Sequence, residues 1–462
     1  MAPGVRAVRR LRRSIVWPLL ALVLVAAEAD ARRVPSAGGK VVVSVPEALL
    51  EATVEAHIYV PMIERVRAPS SRDQLAHPSL PGLPGWRSTV LVDVVSSPDQ
   101  AEWILTAPGP AGGMGASLTQ CFAADGRGRW PGTALRAAGI EVKVQVVRDT
   151  VTLGFSRPVG AVPELLEGCM LRGATGQFSR SGRLQLDARD GHVLGPPPMR
   201  RVEFRPPGQP ADLVADPPLT PGVGTLSAPF PDVLLLLQPK KLRDKDPLDL
   251  TSDAGALPSF RTELRADLLV NIFWSGRGGP ALGILPPGLA PARPLPEPTA
   301  PGRPLSLTLG NLSSAAERVS ILRDGDDVLV DGVVERIAVL LRTRGFGTQP
   351  LSPGVSSSDT ALRVLRWRPP TADPALALLV LAGTYPELLD GAALDGVRLL
   401  SDDIDARLQT AMTLERELIG SRAVVPLLVA ERWFAFNPDL RGVQVRPDGV
   451  PLLDRAFWGG TP

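Results

Sequence analysis

Arg422-Ala-Val-Val-Pro-Leu-Leu-Val-Ala430, preceded by Leu414, Glu415, Leu418 and Ile419 and followed by Asn437-Pro-Asp-Leu-Arg-Gly-Val443 and Phe457-Trp458, decides the fold. Leu414 and Leu418 lie four residues apart, the spacing of one face of a helix. The run that follows is apolar without alternation, as expected of a short strand covered on both faces. Asn437-Pro438 then marks a turn. A helix feeding a doubly buried strand is a unit of layered α/β architecture.

Upstream, the same alternation recurs. Val41-Val-Val-Ser-Val45 reads as a buried strand stopped by Pro46, and residues 47–66 carry Leu49, Leu50, Val54, Ile58 and Met62 near one helical face. Residues 90–95, 140–147 and 151–155 read as strands between Gly- and Pro-rich turns, and 233–237 as an apolar strand. Residues 260–273 read as a helix, 286–304 as a proline-rich extended loop and 305–309 as a strand. In 331–344, Val334, Ile337, Leu340 and Leu341 recur at three and four residues, with Asp331 placed to cap and Gly345 to stop the helix.

The chain of 462 residues is too long for one core, so more than one lobe is expected. Its 44% hydrophobic and 21% charged residues are those of a globular protein. Arg6, Arg9, Arg10, Arg12 and Arg13 precede the mostly apolar run 15–27, which is shorter than the roughly 20 residues a spanning helix needs. Ala29-Asp-Ala31 supplies small residues at a cleavage site. Residues 1–31 thus read as a cleavable signal peptide. No cysteine follows the run, so a lipid anchor is not expected and a periplasmic location is. Its removal would leave a formal charge of about −1, and no nucleic-acid-binding face is implied. Cys121 and Cys169 are the only thiols; an oxidising compartment permits them to pair, the alternative being two buried free thiols.

Enzyme signatures fail. His57, His77 and His192 are the only histidines, without zinc spacing, and there is no nucleophile elbow or phosphate-binding loop. No catalytic residue, metal or cofactor is expected. Gly276-Arg-Gly-Gly-Pro-Ala281 has the dinucleotide spacing, but it follows a helical stretch and Pro280 sits where a helix should open. One constellation remains: Ala361-Leu-Arg-Val-Leu-Arg-Trp367, then Arg368-Pro-Pro-Thr-Ala-Asp373-Pro374 and an apolar helix. It places an aromatic face, a cation and a carboxylate at a strand's C-terminal end, where open α/β sheets bind ligands. The same residues also read as a core aromatic and a helix N-cap.

The tail, the opening Gly38-Gly39 with its strand and Tyr59-Val-Pro-Met-Ile63, the 331–344 helix and the Trp367 loop together resemble the family 5 extracellular solute-binding proteins of ABC importers. The resemblance covers most of the mature chain, loosely over 90–158. It implies an α/β, two-lobed periplasmic-binding-protein-like fold with a hinge and an interlobe cleft. Lobe I is expected over 32–232 with a variable insertion at about 88–158, lobe II over 233–423, and a return to lobe I over 424–462. It further implies a monomer that binds a small solute, possibly a peptide, with Trp367, Arg368 and Asp373 as ligand-binding residues and permease and ATPase subunits as partners. In the family's Trp-x-Ala-Asp-x-x-Asp/Glu-Pro loop the first Asp pairs with a peptide's amino terminus; here Pro370 stands in its place. A family fold that has lost its transported ligand and serves a structural, regulatory or sensing role is the alternative.

Overall fold

The computed structural model describes residues 39–65, 80–123 (without 82, 84 and 89), 130–190, 197–216 (without 208), 224–289 (without 249 and 251–255), 318–324, 328–351, 361–389 and 394–459 (without 447). The expected signal peptide 1–31, the strand at 305–309 and most of the proline-rich 286–304 lie outside them.

Two sheets organise the chain. The first has seven strands in the order Phe178–Gly182, Gln185–Ala188, Met199–Arg205, Gly39–Ser44, Leu213–Ala215, Trp433–Phe436, Gly224–Ser227. Gly39–Ser44 runs parallel to both neighbours, whereas Trp433–Phe436 is antiparallel to both of its own. Val41, Val43, Val202, Phe204, Leu213 and Phe434 pack with Leu49 and Val54 of helix Glu47–Ile58 into one core.

The second sheet has six strands in the order Gly278–Pro280, Val424–Ala430, Asp232–Leu237, Ala361–Trp367, Arg318–Asp324, Gly347–Leu351. Every residue of Val424–Ala430 and Asp232–Leu237 is buried, because helices cover both faces. Leu234, Leu236 and Leu428 pack under helices Ala256–Leu264, Ala266–Trp274 and Val328–Thr343. Val233, Leu235 and Leu237 face helices Pro374–Thr384 and Ile404–Gly420. Side chains on alternate faces of a strand that is apolar throughout require this double cover.

A four-stranded antiparallel sheet forms an insertion, in the order Asp93–Ser96, Glu102–Thr106, Thr150–Phe155, Val142–Val147. With helices Gly112–Cys121 and Trp130–Ala137 it contributes Leu105, Leu118, Leu135 and Leu153 to the same core as Val233, Leu235 and Trp367. The contact depends on two glycines. A Cβ at Gly383 would lie 2.6 Å from the Thr133 carbonyl oxygen, and one at Gly396 would lie 2.5 Å from that of Ala138. Only a hydrogen side chain lets the backbones approach so closely. A narrow neck, Tyr59–Pro61 paired with Met170–Thr175, links the insertion to the first sheet.

Cys121 and Cys169 form a disulfide across 48 residues of sequence, within the insertion's core. Closing a loop of that length restricts the unfolded chain. Replacing both by serine is expected to lower stability by about 2–4 kcal/mol, measured by guanidinium unfolding; an unchanged midpoint would refute it.

Three local readings shift. The helix beginning at Glu47 ends at Ile58 rather than at 66, since Pro61 lacks an N–H and biases Val60 towards extended backbone. The stretch 260–273 is two helices broken at Arg265, which adopts a left-handed φ of 56°. Phe260, Leu264, Leu269 and Val270 all reach one core, and the step of five from Leu264 to Leu269 would turn a continuous helix about 140° away from it. Helix Val328–Thr343 starts before Asp331, whose carboxylate pairs with Arg323 at 2.8 Å instead of capping. Within the expected return, Val424–Ala430 pairs in the second sheet, and the chain rejoins the first at Trp433.

His57 anchors the tail to the first sheet's helix. Its Nδ1 lies 2.6 Å from the Thr53 carbonyl oxygen and its Nε2 accepts the Leu453 N–H at 2.9 Å, which fixes a neutral ring with the proton on Nδ1. Burial pushes the imidazole below its ordinary value, against the raising effects of the Thr53 contact and Asp454. The unfolded chain therefore binds the proton first as pH falls. This contribution is fully present above about pH 6.5 and is lost as pH drops below it towards the folded value. Urea unfolding at pH 7.5 and 5.0 should show the loss, and an NMR titration placing His57 at or above 6.5 would overturn it.

Candidate functional site

The loop after Ala361–Trp367 and the nearby crossovers between the sheets contain the chemistry. Trp367 pairs across the ladder with Val233 and is only 6% exposed, its ring within the core shared with the insertion. Arg368 Nε and Nη2 donate to the two carboxylate oxygens of Asp232 at 3.0 and 3.2 Å, a bidentate pair. Asp373 caps helix Pro374–Thr384, its Oδ1 accepting from Ala375 and Leu376 N–H at 3.0 Å each. Its Oδ2 lies 2.8 Å from Arg407 Nη2, which also donates to Glu164 of the insertion at 2.8 Å. Burial pushes the Asp373 carboxyl up, against the pull of Arg407. The structure thus places all three sequence-predicted residues around one loop, each with partners inside the chain.

Two short segments carry the chain between the sheets, 228–231 and 431–432, and Ala228 N–H donates to the Arg432 carbonyl at 2.9 Å, tying one to the other. Beside them Arg368 joins a cluster whose other members, Asp216, Asp232, Arg366 and Arg432, sequence reasoning missed. Asp232, fully buried, lies 2.6 Å from Arg366 Nε in an ion pair and accepts from Arg432 Nη2 at 3.0 Å and from the Arg368 fork. Burial opposes its ionisation, yet Arg432, Arg366 and Arg368 outweigh that and hold the carboxyl well below the usual range. Asp216, in a left-handed turn with φ of 48°, accepts the Trp433 N–H at 3.1 Å. Its carboxyl is pushed up by burial, only partly offset by Arg432 and Arg366. Arg366 stacks on Trp274 and Arg277 on Trp433, each 4.1 Å from the ring centroid. One signal was available: Arg366 near the end of the strand and Arg368 just after it are two apart, the spacing that puts side chains of extended chain on one face.

Among the described residues no group of three or more His, Cys, Asp or Glu could hold a metal ion, and no helix is long and apolar enough to cross a membrane.

The whole two-lobed arrangement aligns with solved binding proteins. A dipeptide-binding protein from Pseudoalteromonas sp. SM9913 in complex with Met-Leu matches 91% of this chain and 100% of its own, with a TM-score of 0.63 and 13% identity. The chain has the fold of the family 5 solute-binding proteins. The oligopeptide-binding protein AppA from Bacillus subtilis, in complex with a nonapeptide, shares that family 5 fold over 92% of this chain and 100% of its own, at a TM-score of 0.65 and 11% identity. NikA from Staphylococcus aureus in complex with Ni(L-His)2 shares it over 91% and 100%, at 0.61 and 10%. No family model and no curated protein matches the chain.

Proposed function

We propose that the protein is an exported, non-enzymatic solute-binding protein that captures a peptide-like or other small solute between its lobes and delivers it to the permease and ATPase subunits of an ABC importer. The observation that carries this reading is the fold match over more than nine-tenths of the chain to receptors solved with a dipeptide, a nonapeptide and a nickel–histidine complex. A ligand touching both lobes would favour the closed arrangement by its differential affinity for it. The periplasm, reached through the segment at 1–31, is the compartment in which such a receptor works and in which Cys121 and Cys169 stay oxidised.

A second reading, a structural, regulatory or sensing protein with no transported ligand, is favoured by a specific observation. Trp367 is buried, and Arg368 and Asp373 already spend their charges on Asp232 and Arg407. Native mass spectrometry of the protein purified from a periplasm separates the two. A co-purifying solute, with peptides that raise the melting temperature, supports the receptor. No bound mass, together with unchanged melting across a peptide library, sinks it and leaves the second reading.

A further inference from the structure

The crossover cluster is unevenly satisfied. Three guanidiniums, which stay charged at any physiological pH, face Asp232 and Asp216 here. On the Asp232 side the contacts are 2.6 to 3.2 Å. On the Asp216 side they are slack, with Arg366 Nη2 and Arg432 Nη1 each 3.7 Å from Asp216 Oδ2, beyond hydrogen-bond reach. Arg432 is only 3% exposed, yet its Nε and Nη1 find no hydrogen-bond partner among the described residues. A buried cation with unused donors is costly unless an acceptor reaches it.

The cluster also has a way in. The Arg368 side chain keeps 22% of its surface exposed. The tail loop lies over the two arginines: a Cβ at Gly449 would meet Arg432 Cδ at 2.8 Å and Arg368 Nε at 3.4 Å. In that loop Arg446 and Asp448 pair with each other at 2.9 Å, so they add no net charge to the cluster's surroundings.

We propose that this crossover cluster is an anion-binding site that takes the carboxylate of a solute, with Arg432 and Arg368 as its donors. The planar, two-oxygen carboxylate matches the guanidinium fork, as Asp232 already demonstrates within the cluster. The site draws its groups from both sides of the crossovers: Asp216 follows a strand of the first sheet, and Asp232, Arg366 and Arg368 belong to or adjoin strands of the second. An anion there would bear on how the two sheets sit together. The identity of the physiological ligand rests on the solute-receptor reading; anion binding itself does not.

The test uses the full mature protein and matched probes at constant ionic strength. Acetate, succinate and Ala-Ala are compared with acetamide, succinamide and Ala-Ala amide by thermal melting and calorimetry, with inorganic phosphate as the alternative oxyanion. The acids are expected to raise the melting temperature by about 1–3 °C near saturation, with at least a tenfold preference over the amides. Arg432→Gln removes a partner of buried Asp232 and endangers folding, so Arg368→Gln, at the more exposed of the two donors, carries the mutational arm and should weaken acid binding about tenfold. Acids and amides binding alike, or Arg368→Gln binding acids as tightly as the wild type, overturns the proposal; if that variant does not fold, the acid-against-amide comparison decides alone. Phosphate binding in preference to every carboxylate refutes the carboxylate assignment. Neutral peptides that bind without acid preference would leave the receptor reading standing while this one falls.

Discussion

Replacing Arg407 by methionine is expected to lower stability by about 3–5 kcal/mol, the cost of stranding buried charges. Arg407 is 3% exposed and lies between Glu164 of the insertion and Asp373 at the head of helix Pro374–Thr384, 2.8 Å from each, while its Nη1 donates to the Ser401 carbonyl at 2.9 Å. Without it Glu164 and Asp373 lose the guanidinium that lies between them. Burial already pushes the Asp373 carboxyl up against the pull of Arg407, so removing that pull raises it further, and the variant should recover part of its stability as pH falls towards 4, where the wild type gains less. The triple variant Glu164→Gln, Asp373→Asn, Arg407→Met removes all three charges and should regain most of the loss, because a buried ion triad is worth little against neutral packing. Guanidinium unfolding of the three proteins checks this. A loss below about 1 kcal/mol for Arg407→Met would mean that water already reaches the triad.

Asp232→Asn should be comparably severe, again about 3–5 kcal/mol. The substitution keeps the volume but takes the anion from the Arg368 fork and from the short Arg366 and Arg432 contacts, while the Arg366 and Arg432 approaches to Asp216 are already long at 3.7 Å. Mutual repulsion of guanidiniums in a buried site has no nearby outlet except through Arg368, which can swing towards solvent. The loss should therefore be partly relieved by high salt, and more fully by pairing Asp232→Asn with Arg366→Gln. Denaturation at low and high ionic strength, with the double variant alongside, measures both effects. A wild-type midpoint for Asp232→Asn would show that the cluster's charges are not confined.

How much of this was legible beforehand follows from the range of the interactions. Val424–Ala430 and residues 233–237 are apolar at every position, and that local fact alone requires cover on both faces, so the layered α/β architecture could be read directly. Asp373 before Pro374 and an apolar run is likewise a local signature of an N-cap, and it is one. What the residues themselves cannot tell is which capped carboxylate is also ion-paired. Glu164 and Arg407 are separated by 243 positions, and nothing in the composition around either announces the other. Arg366 and Arg432 look like ordinary surface charges in a chain with many arginines. Only the meeting of two sheets buries them. The break at Arg265 was hidden for the opposite reason: the apolar pattern on each side is helical, and only the five-residue step between Leu264 and Leu269 betrays the turn.

The insertion's placement has a mechanical corollary. Its core is continuous with the second sheet, closed by the near-contacts at Gly383 and Gly396, while both of its chain ends run back to the first sheet through Tyr59–Pro61 and Met170–Thr175. If the sheets part, the two crossovers bend, and the load also falls on this three-residue ladder. Such a ladder would act like the short chain on a door, setting the travel by how far it can shear.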